Sequence, residues 1–277
     1  MKRKVVTNGR IRWIIFCLFI KGIHMAFNIN NFANEAKPLP VFLLLDVSGS
    51  MYGDKINQLN NAVEEMIASF KNTSANGVRL QLCAVTFSNN ANVTVKLQDV
   101  EQISWQAVTA YGGTNLTDAL IKTKELIENR DIVPSRAYRP AIILVSDGYP
   151  NSGWQSSMNN FIDTGRSSKC QRMSMLIGDR SDQAVDVMRS FLRGSGNDIY
   201  FAKDASEINK FFKFAGMSIT SRTNSKNPED TVNLQPFGPA NTIVCPEKNV
   251  QSNGSANGNR VATTTVIIKK TDDDDEE

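Results

Sequence analysis

From Pro38 onward the apolar positions follow two alternating rhythms. Val41–Leu45 and the "AIILV" after Pro140 are continuous apolar runs, the pattern of strands covered by helices on both faces of a sheet, and Met173–Ile177 reads as a further strand. Between such runs the spacing changes to that of helices. Ile56, Leu59, Val63, Met66, Ile67 and Phe70 mark one face of a helix over Lys55–Lys71, with Asp54 placed to cap it. The same periodicity predicts helices over Leu116–Asn129, Trp154–Ser168, Asp182–Arg193 and Glu207–Ser221. Val78–Phe87 and Ala91–Leu97 read as a hairpin turned by "SNN", and Ile199–Ala202 as a short last strand. Strands alternating with helices predict an α/β fold: a doubly wound, mainly parallel sheet with one antiparallel edge strand and helices on both faces.

The flanks differ in composition. Residues 222–277 turn to Asn, Ser, Thr, Gly and Pro and end in Asp272–Glu277. "NTIVC" and "TTTVIIKK" suit short strands, but nothing in the sequence supplies a packing partner, and the segment reads as a flexible tail. Its acidic end is a solvated charge run or a tethered carboxylate source able to reach back into a site in cis. Residues 1–37 read as a leader: a basic start, then the apolar stretch Trp13–Ile20, too short to span a bilayer as a helix. A mis-called start ahead of Met25 and a signal or anchor segment both fit it, although the small-residue cleavage pattern is poor. The domain proper is therefore expected over 38–221.

Net charge is +3 across 277 residues, and six basic residues between Lys2 and Lys21 balance the six terminal carboxylates. No basic stripe points to nucleic acid. Cys17, Cys83, Cys170 and Cys245 lie far apart with no CxxC pair, which excludes a zinc ribbon and a disulfide framework and fits a reducing compartment. Cys83, inside an apolar run, reads as a core residue.

The chemistry lies at the strand ends. "PVFLLLDVSGS" drives a hydrophobic strand into Asp46, followed by Ser48 and Ser50; "YGGTNL" carries Thr114; "LVSDG" ends a later strand in Asp147. Ligands of open parallel sheets sit beyond the carboxyl ends of the strands, so two carboxylates and three hydroxyls are expected to converge there. These are hard oxygen donors, suited to Mg²⁺ or Mn²⁺. Gly49, Gly112, Gly113 and Gly148 allow close backbone approach around them.

"DVSGS", "GGTNL" and "LVSDG" in this order resemble the metal-ion-dependent adhesion site of von Willebrand factor type A domains, over about Pro38 to Ser221. The resemblance implies that Asp46, Ser48, Ser50 and Thr114 bind the metal and that Asp147 acts through water. It also implies that a partner's Glu or Asp fills the open position and that the last helix moves with binding. "PLPVFLLLDVSGSMYGDKI" and "AYGGTNLTDAL" most resemble the bacterial TerY-type, tellurium-resistance-associated branch. That implies a cytoplasmic scaffold in stress or phage-defence signalling, with a kinase and a phosphatase as partners. A periplasmic or membrane-anchored adhesion protein and an accessory subunit of an AAA+ ATPase are the alternatives. Tyr52, Gly113 and Tyr149 are candidates for a partner-contact rim, with Asp54 and Trp154 nearby.

A metal-dependent hydrolase is the enzymatic alternative. The chain's only histidine is His24, in the leader, and there is neither a GxSxG elbow nor a GxxxxGK[ST] loop. A binding module, not an enzyme, is expected.

Overall fold

The structure is a computed structural model that describes residues 36–74, 79–178 and 180–223, together with the backbone of 6–7, 10–11 and 242–243. Seven strands form the sheet: β1 (Leu39–Asp46), β2 (Leu80–Phe87), β3 (Ala91–Asp99), β4 (Ala141–Ser146), β5 (Gln171–Ile177), β6 (Ile199–Ala202) and β7 (Thr242–Ile243). Their spatial order is β3-β2-β1-β4-β5-β6-β7. The inner strands β2, β1, β4, β5 and β6 pair in parallel, and β3 and β7 pair antiparallel at the two edges. The first six follow the order of doubly wound nucleotide-binding sheets, which reverses direction between β1 and β4.

Alternation along β1 shows why the sheet needs two helical layers. Leu39, Val41, Leu43 and Leu45 enter one core cluster, and Phe42 and Leu44 enter the other. The first cluster is closed by α1 (Asp54–Ser74) and α5 (Ser206–Thr223), through Leu59, Val63, Phe70, Phe211 and Phe212. The second is closed by α2 (Leu116–Glu128), α3 (Trp154–Asp163) and α4 (Asp182–Leu192). Full burial of each such aromatic or aliphatic side chain stabilises the fold by about 1.5–3 kcal/mol.

Several boundaries differ from the periodic reading, each for a local reason. Asp54 is the first residue of α1 and not its cap. Helix α2 starts at Leu116 as expected, behind Asn115, whose side chain accepts from the Asp118 backbone N–H at 3.1 Å, and ends one residue early, at Glu128. Helix α3 stops at Asp163, because the chain takes a positive φ at Gly165 and reforms only as the single turn Ser167–Lys169. The "SNN" hairpin forms as expected, with Phe87 opposite Ala91 and the Ser88 N–H donating to the Asn90 carbonyl. Cys83 and Cys170 are buried free thiols, each pushed up to about 12 by burial.

At the flanks, Val6–Thr7 pairs with Arg10–Ile11, and the rest of the expected leader through residue 35 lies outside the described residues. Thr242–Ile243, given no packing partner by sequence, pairs with Ile199–Tyr200. The remainder of the expected tail from residue 224, including its acidic end, also lies outside the described residues. Among the described residues no helix is long and apolar enough to cross a membrane.

Arg222 sits just past the boundary expected at 221, yet it belongs to α5 and is 1% exposed. Its guanidinium donates to Gln171 Oε1 and to the Arg139 carbonyl oxygen, both at 2.9 Å, fastening the end of α5 beneath the sheet. Arg222→Ala strands the buried Gln171 acceptor and the half-buried Arg139 carbonyl and is expected to cost about 2–4 kcal/mol. Urea denaturation of the variant beside the parent protein measures that loss.

Candidate functional site

The crevice at the β1/β4 reversal is assembled from backbone contacts before any side chain matters. The Val47 N–H donates to the Phe87 carbonyl at 2.9 Å, extending β1 past its last ladder pair. The next loop turns as a short 3-10 segment, Gly49–Met51, held down by the fully buried Met51. The loop after β3 then folds over it: Gly49 N–H donates to the Gly112 carbonyl at 2.9 Å, and Tyr111 N–H to the Val47 carbonyl at 2.8 Å. Gly112 has φ +72°, and a Cβ there would lie 2.7 Å from the Asn89 amide. Only glycine suits that position. Asn89 Oδ1 in turn accepts from the Gly113 N–H at 2.7 Å, and the Thr114 carbonyl accepts from Asn151 N–H at 2.8 Å.

These contacts draw together the loops after β1, β3 and β4. Asp46 and Ser48 are fully buried, and Thr114 is nearly so. Ser48 and Ser50 place their hydroxyl oxygens 3.0 Å apart, and Ser50 Oγ donates to Asp147 Oδ1 at 2.7 Å across 97 residues of sequence. Asp46 Oδ1 accepts from the Ser48 N–H at 2.8 Å, and Oδ2 accepts from Ser146 Oγ at 2.5 Å. A bond therefore joins Ser50 to Asp147, while Thr114 is carried on a loop tied to Gly49 and Asn151.

Two of these contacts involve residues the sequence reading passed over. Ser146 was legible as the residue before Asp147, but only the parallel β1–β4 pairing aims it at Asp46. Lys55 extends from α1 to Asp147 Oδ2 at 2.5 Å and to the Ser50 carbonyl at 3.2 Å. Of the rim candidates, Tyr52 is 80% exposed and Tyr149 48% exposed, while Trp154 packs against the second core cluster. Tyr111, 52% exposed on the folded-over loop, joins Tyr52 and Tyr149 as a third open aromatic. The Gly113 N–H is committed to Asn89, and Asp54 is exposed at the start of α1.

Burial pushes the Asp46 carboxyl up to about 6, against the hydrogen bonds from Ser146 and Ser48, which pull it down. The protonated form is thus favoured in the folded state. The folded chain binds more protons than the unfolded one between about pH 4 and pH 6, so the contribution to stability falls as pH rises through that window. In chelator, Asp46→Asn is expected to abolish this fall, which amounts to roughly 3 kcal/mol. Thermal melts of both proteins from pH 4 to 7.5 give the comparison. A second expectation is local: Gly112→Ala forces the loop off Asn89 and lowers the melting temperature, whereas Gly194→Ala, with open space around it, does so less.

Comparison with known proteins agrees with this architecture. The family model described as "von Willebrand factor type A domain" matches residues 41–214. Inter-alpha-trypsin inhibitor heavy chain H4 of Sus scrofa is 34% identical over 162 residues, 54% of this chain and 16% of that one. Thrombospondin-related anonymous protein of Plasmodium falciparum is 27% identical over 142 residues, 44% of this chain and 25% of that protein. The chain thus matches at most a quarter of the length of these two relatives. Among solved structures, the pilus adhesin SpaC of Lactobacillus rhamnosus GG superposes with a TM-score of 0.56 at 14% identity, covering 69% of this chain and 31% of that one. The strand order, the two helical layers and the matched span lead to one conclusion: this chain belongs to the von Willebrand factor type A family, whose domains serve as protein-interaction and adhesion modules.

Proposed function

We propose that the chain is a divalent-metal-dependent protein-binding module, a metal-ion-dependent adhesion site that accepts a Glu or Asp side chain from a partner. The observation that carries this is Asp46. Its carboxylate is fully buried, and its partners among the described residues are hydroxyl and amide hydrogens, with no cation. Ionising such a group away from water is costly unless positive charge arrives. The donors around it are all hard oxygens, the set that suits Mg²⁺ or Mn²⁺.

Asp46, Ser48, Ser50 and Thr114 would hold the ion, with Asp147 acting through water. When bound, the ion would supply an electrophilic coordination position for the partner's carboxylate. The chain's own residues set the conditions for that contact. Three of the donors are neutral hydroxyls, which hold the ion without adding negative charge to that of the carboxylates. Asp46 is fixed in orientation by Ser146 and the Ser48 N–H. Tyr52, Tyr111 and Tyr149 offer exposed aromatic area beside the crevice, the residue type enriched at interface centres.

The role we infer is binding without catalysis. The engagement of both site carboxylates, Asp46 with Ser48 and Ser146, Asp147 with Ser50 and Lys55, supports that reading. The narrower reading, a TerY-type cytoplasmic scaffold for a kinase and a phosphatase, rests on motif resemblance alone. Calorimetry with Mg²⁺ or Mn²⁺ tests the proposal. One ion per chain is expected at millimolar concentration or below, with affinity reduced at least about 100-fold in Asp46→Ala. A parent protein that takes up neither ion at millimolar levels overturns it.

A further inference from the structure

Lys55, the second residue of α1, places a cation inside the crevice. Its ammonium nitrogen lies 2.5 Å from Asp147 Oδ2 and also donates to the Ser50 carbonyl at 3.2 Å. The Asp147 side chain is 1% exposed and that of Lys55 33% exposed, so the pair is sheltered on the carboxylate side and open on the ammonium side. Asp147 Oδ1 is meanwhile held by Ser50 Oγ, a proposed metal donor, at 2.7 Å. The two carboxylates of the site are therefore unequal. Among the described residues, Asp147 has a counter-ion carried on the same chain and Asp46 has none.

We propose that Lys55 sets the charge balance of the metal edge, weakening its grip on the divalent ion in order to strengthen its hold on a partner's carboxylate. The inference rests on the metal-dependent reading above. Asp46, Asp147 and Lys55 together carry a net charge of −1. A divalent ion turns this to +1, and an acidic partner is then attracted to an edge with surplus positive charge. Without Lys55 the same edge would go from −2 to neutral: a stronger trap for the ion and a poorer one for the carboxylate. Over a few ångströms in a partly desolvated crevice, one unit charge shifts each equilibrium substantially. The two shifts have opposite signs. A lysine that merely positions Asp147 would not produce them, because misplacing the aspartate weakens both steps together.

Lys55→Met removes the charge and keeps much of the length of the stem. Manganese uptake is read by calorimetry, and acetate serves as the carboxylate probe. Acetate binding to the Mn²⁺-loaded protein is followed by water-proton relaxation as coordinated water is displaced. The expected result is Mn²⁺ affinity raised about tenfold and acetate affinity lowered about tenfold, with Lys55→Arg within about twofold of the parent in both. Lys55→Gln, which keeps a polar group beside Asp147, provides the same comparison if the methionine variant does not fold. Unchanged or weaker Mn²⁺ binding in the charge-removing variants overturns the assignment, as does unchanged or tighter acetate binding. Those results leave the metal-dependent reading standing, because the parent protein still binds Mn²⁺; a parent protein that binds none overturns both.

Discussion

The withdrawal of the Asp46 carboxylate from water at the end of the central strand is the constraint around which this end of the molecule is organised. β1 is flanked by β2 and β4 and covered on both faces, so its last residue has no route to solvent along the sheet. Two hydrogen bonds, from Ser48 and Ser146, hold the group in place, and burial still lifts its titration to about 6. Hydrogen bonds to an anion lower the cost of burying it without removing the charge. The fold thus maintains a local deficit of positive charge at the place where a doubly wound sheet opens its crevice.

The surrounding architecture preserves that deficit. The loop after β3 crosses back over the β1 loop through Gly49 and Gly112, and Asn89 pins it from the β2–β3 turn. The resulting cluster of hydroxyls is dense in donors but poor in charge. Lys55 is the exception, and it is directed at Asp147 and not at Asp46. The division of labour follows from position: Asp147, just past the end of β4, is within reach of the first turn of α1, whereas Asp46 is screened by its own loop. Tyr52, Tyr111 and Tyr149, on the loops that carry this chemistry, leave their rings open to solvent.

The fold was largely legible from periodicity. Continuous apolar runs and 3.6-residue spacing identified six strands and five helices in the right order, because each element must bury a face and the pattern records which one. Errors fell where local geometry overrides periodicity. Gly165 ends α3 five residues ahead of the apolar pattern's limit, and Asp54 joins α1 where it had been read as the cap. Thr242–Ile243 falls within the "NTIVC" run that suits a short strand, and only the fold supplies its partner, the edge of β6.

The chain of residues alone determined which chemical groups were available: Asp46, Ser48 and Ser50 after one strand, Thr114 in a glycine loop, Asp147 after another. Residue type and strand-end position are properties of the sequence, and they specify an oxygen-rich edge. Tertiary structure decided how those groups are paired. The 2.7 Å bond from Ser50 to Asp147, the contact of Ser146 with Asp46 and the reach of Lys55 to Asp147 span 97, 100 and 92 residues. Contacts that distant depend on which strands become neighbours and on the side from which α1 approaches. Those choices are made by packing across the whole sheet, and no local stretch of sequence contains them.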